Sequence, residues 1–371
     1  MDQRAIILAN TNLKRSQKVN DMRRPHCRQT QRRTAKSYRV LVCFLVVLTG
    51  SLLVEANASR TTTYDVSFIP YSFPDLGTEP FYQRAGADRT QVRFELIDNR
   101  PVFRVRLNAS DKLFNFVLDT GSHMTIISTK TAARLSLMSK ASSSRATGVG
   151  GQFQVVYALL QSCQIGAVRL ENVPVFVLPL SNEKHTVDGY IGTSFISQFV
   201  TSVDYGERTL TLERPSNASS PSFAGSAIPI KATSTGIVIS DVRIPGFDRP
   251  LSFIMDTGAS VSVVASGASA NDLINSCEEG DRLQVSGAGG VEENVKTILL
   301  GRVNIGSHGR ENILAAVLDL KRISKAAGSQ QTGIVGGNFL RHFLVIFDLP
   351  RGVVRLKPLE DEVVSARDSG R

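Results

Sequence analysis

The sequence predicts an all-β protein of two similar lobes, and three observations support this prediction. Apolar and polar residues alternate in short stretches such as 92–96 and 103–107, which is the pattern of strands with one buried face. Few segments have a helical pattern; residues 128–137, which begin with polar residues, are one of them. Four landmarks of the sequence also recur in the same order, with offsets of 137 to 144 residues. Chance could supply one such landmark, whereas four in register indicate an internal duplication.

The first landmark is an apolar run that ends in Asp-Thr-Gly, at residues 119–121 and again at 256–258. Three further landmarks follow it in each half of the chain. They are a glycine-rich hairpin (148–151 and 287–290), an apolar–Gly step before a short helix (189–195 and 333–339) and a closing strand pair (203–212 and 347–356). Two strand patterns that each break at Asp-Thr-Gly predict one active site assembled from two halves.

Composition divides the 371 residues into six segments. This length allows one large domain or two ordinary domains, each with a real core. The segments are a basic leader with a signal peptide or signal-anchor (1–58), an N-terminal arm or pro-segment (59–91), a first lobe (92–214), a linker (215–226), a second lobe (227–358) and a polar tail (359–371).

The net charge of +10 is concentrated in the leader, where eleven Lys and Arg face three Asp and Glu, so the remaining chain carries only +2. A nucleic-acid partner is therefore not expected. An apolar run at 40–54 and Ala-Asn-Ala at 56–58 complete the layout of a secretory signal peptide. We expect a secreted, periplasmic or otherwise extracytoplasmic protein. The alternative is a retained signal-anchor, which would give a single-pass membrane protein that faces outside.

Two features of the chain stay open at this stage. Residues 59–91 are either an arm that joins a sheet between the lobes or a pro-segment that covers a cleft. Cys163 and Cys277 are the cysteines that follow the leader, and they could form one bridge between the halves or remain thiols.

The repeated series, Asp-Thr-Gly followed by Ser or Ala, then a glycine hairpin and an apolar–Gly step, resembles that of the aspartic proteases. Each lobe is most similar to retropepsin-like (retroviral-type) proteases, which act as dimers, and the two-lobed chain is similar in plan to pepsin-like enzymes. The resemblance covers nearly all of residues 92–358. It implies two retropepsin-like lobes with the active site between them, and an aspartic-type endopeptidase that acts on protein or peptide substrates. It further implies a monomer that contains an intramolecular pseudo-dimer and needs no metal or organic cofactor.

The resemblance assigns a role to each repeated position. Asp119 and Asp256 would be the catalytic pair, with the attacking water activated between them. The threonine hydroxyls of the two motifs would each reach across to the opposite loop. Supporting residues of the two loops are Thr120, Gly121, Ser122, Thr257, Gly258 and Ala259. Residues expected to pack behind the loops are Ile191, Gly192, Val335 and Gly336.

Six glycines are candidates for flaps that close over a bound peptide, with ordinary glycine-rich turns as the alternative. They are Gly148, Gly150 and Gly151 in the first lobe, and Gly287, Gly289 and Gly290 in the second. The first hairpin departs from the pepsin-like pattern because no tyrosine lies within it; Tyr157 follows just beyond.

One difference between the two motifs suggests different roles for the two aspartates. Ser122 follows the first Asp-Thr-Gly, whereas Ala259 follows the second. A hydroxyl aimed at Asp119 would favour the ionised form of that carboxyl. This predicts that Asp256 carries the proton in the free enzyme.

Other catalytic classes find little support in the sequence. It contains no His-Glu-x-x-His, no Gly-x-Ser-x-Gly, and no Gly-Lys-Ser/Thr after a glycine hairpin, so a zinc peptidase, a serine hydrolase and a phosphate loop are not indicated. His123 is interpreted as a packed or solvent-facing residue. Two alternatives stay open: a catalytically weak or inactive peptide-binding protein that retains the cleft, and lobes that pair between two chains.

Overall fold

The computed structural model of the chain describes residues 39–41, 47–48, 82–180, 187–215, 226–267 and 270–359. Most of the predicted leader and signal peptide, most of the predicted arm, the body of the linker and nearly all of the tail lie outside the described residues; the leader is described only at residues 39–41 and 47–48. Within the described residues, no helix is long and apolar enough to span a membrane.

Among the described residues, eight strands of each half of the chain form the body of a lobe. The first-lobe strands are β5 (Glu95–Ile97), β6 (Arg100–Leu107), β7 (Leu113–Leu118), β8 (Thr125–Ser128), β9 (Ser139–Gly148), β10 (Gly151–Ile165), β11 (Val168–Leu178) and β12 (Gly189–Ile191). The second-lobe strands are β15 (Ile228–Thr233), β16 (Gly236–Arg243), β17 (Leu251–Met255), β18 (Ser262–Ala265), β19 (Glu278–Gly287), β20 (Gly290–Ile305), β21 (His308–Leu318) and β22 (Gly333–Val335).

The strand orders of the two lobes correspond one to one. The first is β9-β10-β11-β8-β12-β7-β6-β5 and the second is β19-β20-β21-β18-β22-β17-β16-β15, and β10–β6 and β20–β16 add equivalent cross-pairings. Three short strands lie at the edges: β1 (Arg39–Leu41) pairs with β19, β2 (Val47–Leu48) with β9, and β3 (Gln83–Gly86) with β11. The all-β prediction and the internal duplication are therefore confirmed.

A shared sheet joins the lobes. Its additional strands are β4 (Arg89–Arg93), β13 (Val200–Asp204), β14 (Thr209–Glu213), β23 (Phe343–Asp348) and β24 (Val353–Pro358), arranged with β15 in the order β15-β24-β23-β13-β14-β4. The closing strands of the two halves pair antiparallel at its centre, with Ser202 opposite Ile346. Asp204 and Asp348 belong to these strands, and Asp348 pairs with Arg351 at 2.8 Å, so both aspartates lie in closing strands as interpreted.

Helices are short and few among the described residues. They are α1 (Thr129–Arg134), α2 (Thr193–Ile196), α3 (Asn271–Ser276), α4 (Lys321–Ala327) and α5 (Gly337–Leu340), with a 3-10 turn at Leu349–Arg351. α1 is shorter than the predicted 128–137. The Ser128 hydroxyl accepts the Thr131 N–H at its start, and the chain leaves the helix at Leu135, before Ser136 adopts a left-handed φ of 49°.

The predicted first hairpin is also modified. A continuous strand through Val92, Phe94 and Leu96 was expected, but the chain passes from one sheet to another at Phe94. The buried Phe94 ring packs edge-on against Tyr205 at 5.8 Å, and its N–H donates to the Arg208 carbonyl. β4 therefore belongs to the shared sheet, and only β5 pairs with β6 in the first lobe.

Candidate active site

The two Asp-Thr-Gly motifs begin where equivalent buried strands end. β7 stops at Leu118 and β17 at Met255, each one residue before the aspartate. The Asp119 N–H donates to the Ile191 carbonyl at 2.9 Å, and the Asp256 N–H donates to the Val335 carbonyl at 2.9 Å. Ile191 and Val335 thus pack behind the loops and also fix the backbone of each aspartate.

Backbone N–H groups of each loop point at the carboxylate of the same loop. The Gly121 N–H donates to Asp119 Oδ1 at 3.0 Å. Asp256 Oδ1 accepts from Gly258 at 2.9 Å and from Ala259 at 3.1 Å. These bonds orient both carboxylates with groups that need no side-chain rearrangement.

The two loops lie against each other. A Cβ added to Gly121 would collide with the carboxyl group of Asp256, and one added to Gly258 would lie 2.9 Å from Asp119 Cγ. Each glycine therefore gives room to the aspartate of the opposite lobe, which is a close approach that only glycine permits. The structure brings Asp119 and Asp256 together at the junction of the lobes, and both are fully buried.

Thr120 and Thr257 cross-link the lobes. The Thr120 hydroxyl donates to the Met255 carbonyl at 2.7 Å and accepts the Thr257 N–H at 3.0 Å. The Thr257 hydroxyl does the same in the other direction, donating to the Leu118 carbonyl at 2.7 Å and accepting the Thr120 N–H at 3.1 Å. These four hydrogen bonds fix the distance between the end of β7 and the end of β17.

The prediction that the Ser122 hydroxyl points at Asp119 is wrong. Its hydroxyl donates to the Met124 carbonyl at 2.9 Å, two residues further along the same loop, and it is not aimed at Asp119. A hydroxyl so close to a turn carbonyl is satisfied locally. The premise for assigning the proton to Asp256 therefore fails.

Gly192 and Gly336 sit where the chain passes behind each loop. A Cβ on Gly192 would lie 2.6 Å from the His123 carbonyl oxygen, and a Cβ on Gly336 would lie 2.7 Å from the Val261 carbonyl. Gly192, which follows β12, and Gly336, which follows β22, thus each lie against the Asp-Thr-Gly loop of their own lobe.

The six candidate flap glycines form the tips of two hairpins, β9–β10 and β19–β20, and the tips meet. A Cβ on Gly150 would lie 2.7 Å from the backbone of Gly290, and the Gly289 N–H donates to the Val149 carbonyl at 2.9 Å. Gly151 and Gly287 take part in the same tip contact. Gly148 closes the first hairpin opposite Gly151.

The residue at each tip packs into the opposite lobe. Val149 is buried in the second flap cluster, which consists otherwise of Val238, Ile254, Ala259, Val261, Val263, Ala265, Leu283, Val285, Val295, Ala316, Leu318, Leu320, Ile323 and Ile334. Ala288 packs against the first flap cluster, which consists of Val102, Val117, Met124, Ile126, Ala146, Val155, Tyr157, Phe176, Leu178, Val187 and Tyr190, with Ile97, Phe153 and Leu180 at its edge. The two hairpins are therefore interlocked.

Sequence reasoning missed these tip residues and one further contact between the lobes. In both hairpins the residue after the first glycine is apolar, which was the available signal for the tips. In the turn before β6, the Asn99 amide donates to the Ser260 carbonyl of the second lobe at 2.9 Å and accepts from Arg341 at 3.0 Å. Asn99 has a φ of 65°, a conformation that asparagine tolerates better than most residues.

His123 is half-buried beside the first loop. Its Nδ1 lies 3.3 Å from Thr193 Oγ1, and burial lowers the pKa of the imidazole to about 4. Cys163 is a buried thiol and Cys277 a partly buried one, so the two do not form a bridge. Among the described residues, no group of three or more His, Cys, Asp or Glu is placed to hold a metal ion.

Known proteins resemble this chain in sequence family and in fold. A family model described as "Aspartyl protease" matches residues 104–195 and 240–339, just over half of the chain and one stretch in each lobe. Among solved structures, the crystal structure of aspartic proteinase from Irpex lacteus is similar, with 16% sequence identity over 74% of this chain and 99% of that chain, and a TM-score of 0.48. A search of curated proteins found no significant match.

Proposed function

The chain belongs to the aspartyl protease family, and from that membership we propose that it is an endopeptidase that uses Asp119 and Asp256 to cleave the peptide bonds of its substrates. One observation carries the proposal: the two Asp-Thr-Gly loops face each other, each glycine against the opposite aspartate, with both threonines hydrogen-bonded across the junction. This arrangement needs both halves of the duplication.

The proposed reaction uses the two carboxyl groups as a pair. Two like charges this close cannot both be ionised cheaply, so the pair holds one proton. The ionised carboxylate takes a proton from water while the water oxygen attacks the scissile carbonyl carbon. The protonated partner gives its proton to the carbonyl oxygen, which yields a gem-diol without a covalent intermediate. Transfer of a proton to the amide nitrogen then releases the amine as the C–N bond breaks.

Substrate entry requires the hairpins to separate. Both aspartates are fully buried, and the tip residue Val149 is only 4% exposed. We infer that the hairpins act as two flaps that open to admit an extended peptide and close over it. Closure would exclude bulk water and leave the catalytic water between the carboxyl groups.

The proposal extends to location and assembly. The basic and apolar composition of residues 1–58 supports an extracytoplasmic enzyme, with a retained anchor as the alternative. N-terminal sequencing of the active protein would reveal a cut after the apolar run, or its retention, and would also show whether residues 59–91 are removed. Contacts between the lobes of one chain support an active monomer; activity confined to dimers in analytical ultracentrifugation would contradict that.

The test of the activity is hydrolysis of a denatured protein at acid pH by the wild type, Asp119→Asn and Asp256→Asn. Either substitution removes a proton donor and acceptor from the pair, so we expect at least about a 10²–10⁴-fold loss of kcat. Asp241→Asn, at a half-buried carboxylate of β16 that pairs with Arg243, is the matched control and should retain activity. A wild type that binds peptides yet hydrolyses none would favour the alternative of an inactive peptide-binding protein.

A further inference from the structure

The segment that follows Asp119 is fixed by two backbone hydrogen bonds from its own lobe. The Thr193 N–H donates to the Ser122 carbonyl at 2.8 Å. The next N–H along the chain, that of Ser194, donates to the His123 carbonyl at 2.8 Å. Both donors lie in the first turn of α2, so this short helix supports the first Asp-Thr-Gly loop without help from the second lobe.

The duplication predicts the same two bonds in the second lobe, where Gly337 and Asn338 are the equivalent residues at the start of α5. The first bond is present, since the Gly337 N–H donates to the Ala259 carbonyl at 2.6 Å. Among the described residues, no hydrogen bond joins the Asn338 N–H to the Ser260 carbonyl. The loop that carries Asp256 therefore has one backbone bond from its own lobe where the first loop has two.

The first lobe supplies a bond in place of the second one. Asn99 lies in the turn before β6, and its Nδ2 donates to the Ser260 carbonyl at 2.9 Å. Ser260 directly follows Ala259, whose N–H donates to Asp256 Oδ1 at 3.1 Å. A side chain of the first lobe is thus bonded to the segment that orients the carboxylate of the second.

The Asn99 side chain is itself fixed by the second lobe. Arg341, the residue after α5, donates from Nη1 to Asn99 Oδ1 at 3.0 Å. Both polar atoms of the Asn99 amide are therefore used across the junction of the lobes. The residue has a φ of 65°, a left-handed conformation that asparagine tolerates and glycine adopts freely.

The backbone of the same turn lies against α5. A Cβ on Gly337 would collide with the Asn99 carbonyl, so this close approach requires glycine. The equivalent residue of the first lobe is Thr193, which carries a side chain. A side chain is therefore accommodated beside the first loop but not beside the second, where the turn with Asn99 takes its place.

We propose that Asn99 is a positioning residue for Asp256. Its amide holds the Ser260 carbonyl, and the segment before that carbonyl contains the Gly258 and Ala259 N–H groups that orient the Asp256 carboxylate. This inference rests on the proposed peptidase function. It makes the two loops unequal, because the first is supported within its own lobe and the second depends on a side chain of the other lobe.

The effect of losing this bond should appear in kcat. Proton transfer within the carboxyl pair requires both groups at fixed positions, and a small displacement of one slows the chemical step. Peptide binding uses the whole cleft and depends less on the direction of one carboxylate. A loss of positioning should therefore lower kcat and kcat/KM by the same factor and leave KM nearly unchanged.

The test is peptide hydrolysis by the wild type and Asn99→Gly, with kcat normalised to the folded fraction measured by urea unfolding. Glycine keeps the left-handed backbone and removes only the amide. We expect kcat to fall about tenfold or more and KM to change by less than about twofold. Asn172→Gly is the matched control, since it makes the same substitution at an exposed residue of β11 with a φ of 56°, and it should retain the wild-type kcat.

A double-variant cycle tests the link through Arg341. Arg341→Ala removes the donor to Asn99 Oδ1 and should lower kcat by a smaller factor, about two- to threefold. Because Arg341 acts through Asn99, the double variant should have the kcat of Asn99→Gly alone. If Asn99→Gly does not fold, a fall in kcat without a change in KM in Arg341→Ala supports the proposal, and an unchanged kcat in that variant overturns it.

The remaining outcomes distinguish this inference from the proposed function. A folded Asn99→Gly with the wild-type kcat, or with a change in KM alone, would overturn the positioning role and leave the peptidase function intact. An equal loss of kcat in Asn172→Gly would also overturn it, because the cause would then be backbone freedom in general. A wild type that hydrolyses no peptide would overturn both proposals.

Discussion

Thr120 and Thr257 are hydrogen-bonded to each other across the junction of the two lobes, each hydroxyl accepting the other's backbone N–H at 3.0 and 3.1 Å. Each hydroxyl also donates to a carbonyl at the end of the opposite strand, and neither threonine has any exposed surface. The pair therefore serves as the structural link between the two candidate catalytic loops.

Replacing either threonine by valine should destabilise the protein. Thr120→Val or Thr257→Val leaves a buried N–H and a buried carbonyl of the opposite lobe without a partner, at about 1–3 kcal/mol for each group. Urea unfolding of each variant measures the loss. Thr→Ser at the same positions keeps the hydroxyl and should recover most of the stability; equal losses for serine and valine would argue against the hydrogen bonds as the cause.

Gly121→Ala should greatly reduce kcat while leaving the folds of the two lobes largely intact. The added Cβ meets the carboxyl group of Asp256, so one aspartate must move away from the other. A displacement of about 1 Å can reduce turnover about 10²-fold. Gly301→Ala is the control, because a Cβ there meets nothing within 4 Å and the site is exposed. Comparable kcat values in the two variants would count against the assigned geometry.

Val149→Ala should raise the KM for peptides by loosening the closed flaps. The side chain is 4% exposed and packs in the second flap cluster, and losing two methyl groups costs about 1–2 kcal/mol. Hydrogen exchange at both tips should accelerate in parallel. Val291→Ala, near the tip of the second flap and 40% exposed, is the matched control. An equal effect at both positions would show that the tip contact is not specific.

His123→Leu should flatten the dependence of stability on pH. Burial lowers the pKa of His123 to about 4, against about 6.5 in the unfolded chain. The unfolded state therefore binds the proton first. The contribution of the neutral imidazole is complete above pH 6.5 and is lost as pH falls towards 4, on the order of 1–3 kcal/mol.

The measurement is the free energy of unfolding between about pH 4 and 8, the range that spans both pKa values of the histidine, made in an Asp119→Asn background to prevent self-digestion. The difference between the protein that keeps His123 and the His123→Leu variant should be constant above about pH 7 and should change below it. A difference that does not vary over the whole range would contradict the titration of His123 as its source.

Much of the architecture could be predicted because it repeats. Period-two strands and four landmarks in register indicated two all-β lobes, and the structure has that fold with the same strand order in each half. The prediction of one hairpin at 92–107 was wrong in one respect. The chain changes sheet at Phe94, so β4 pairs in the shared sheet and only β5 pairs with β6. Local alternation shows that a strand has one buried face, but it does not show which sheet that face belongs to.

The sequence by itself determined that two equivalent Asp-Thr-Gly turns follow buried strands. Apolar runs and turn residues can be recognised in short stretches of sequence, and the duplication can be recognised by comparing the two halves of the chain. The tertiary structure alone decided what those turns face. It directed the Ser122 hydroxyl to Met124 instead of Asp119, and it interlocked Val149 and Ala288 with opposite lobes. The physical reason is that hydroxyl direction and packing volume depend on neighbours distant in the chain, which no local pattern specifies.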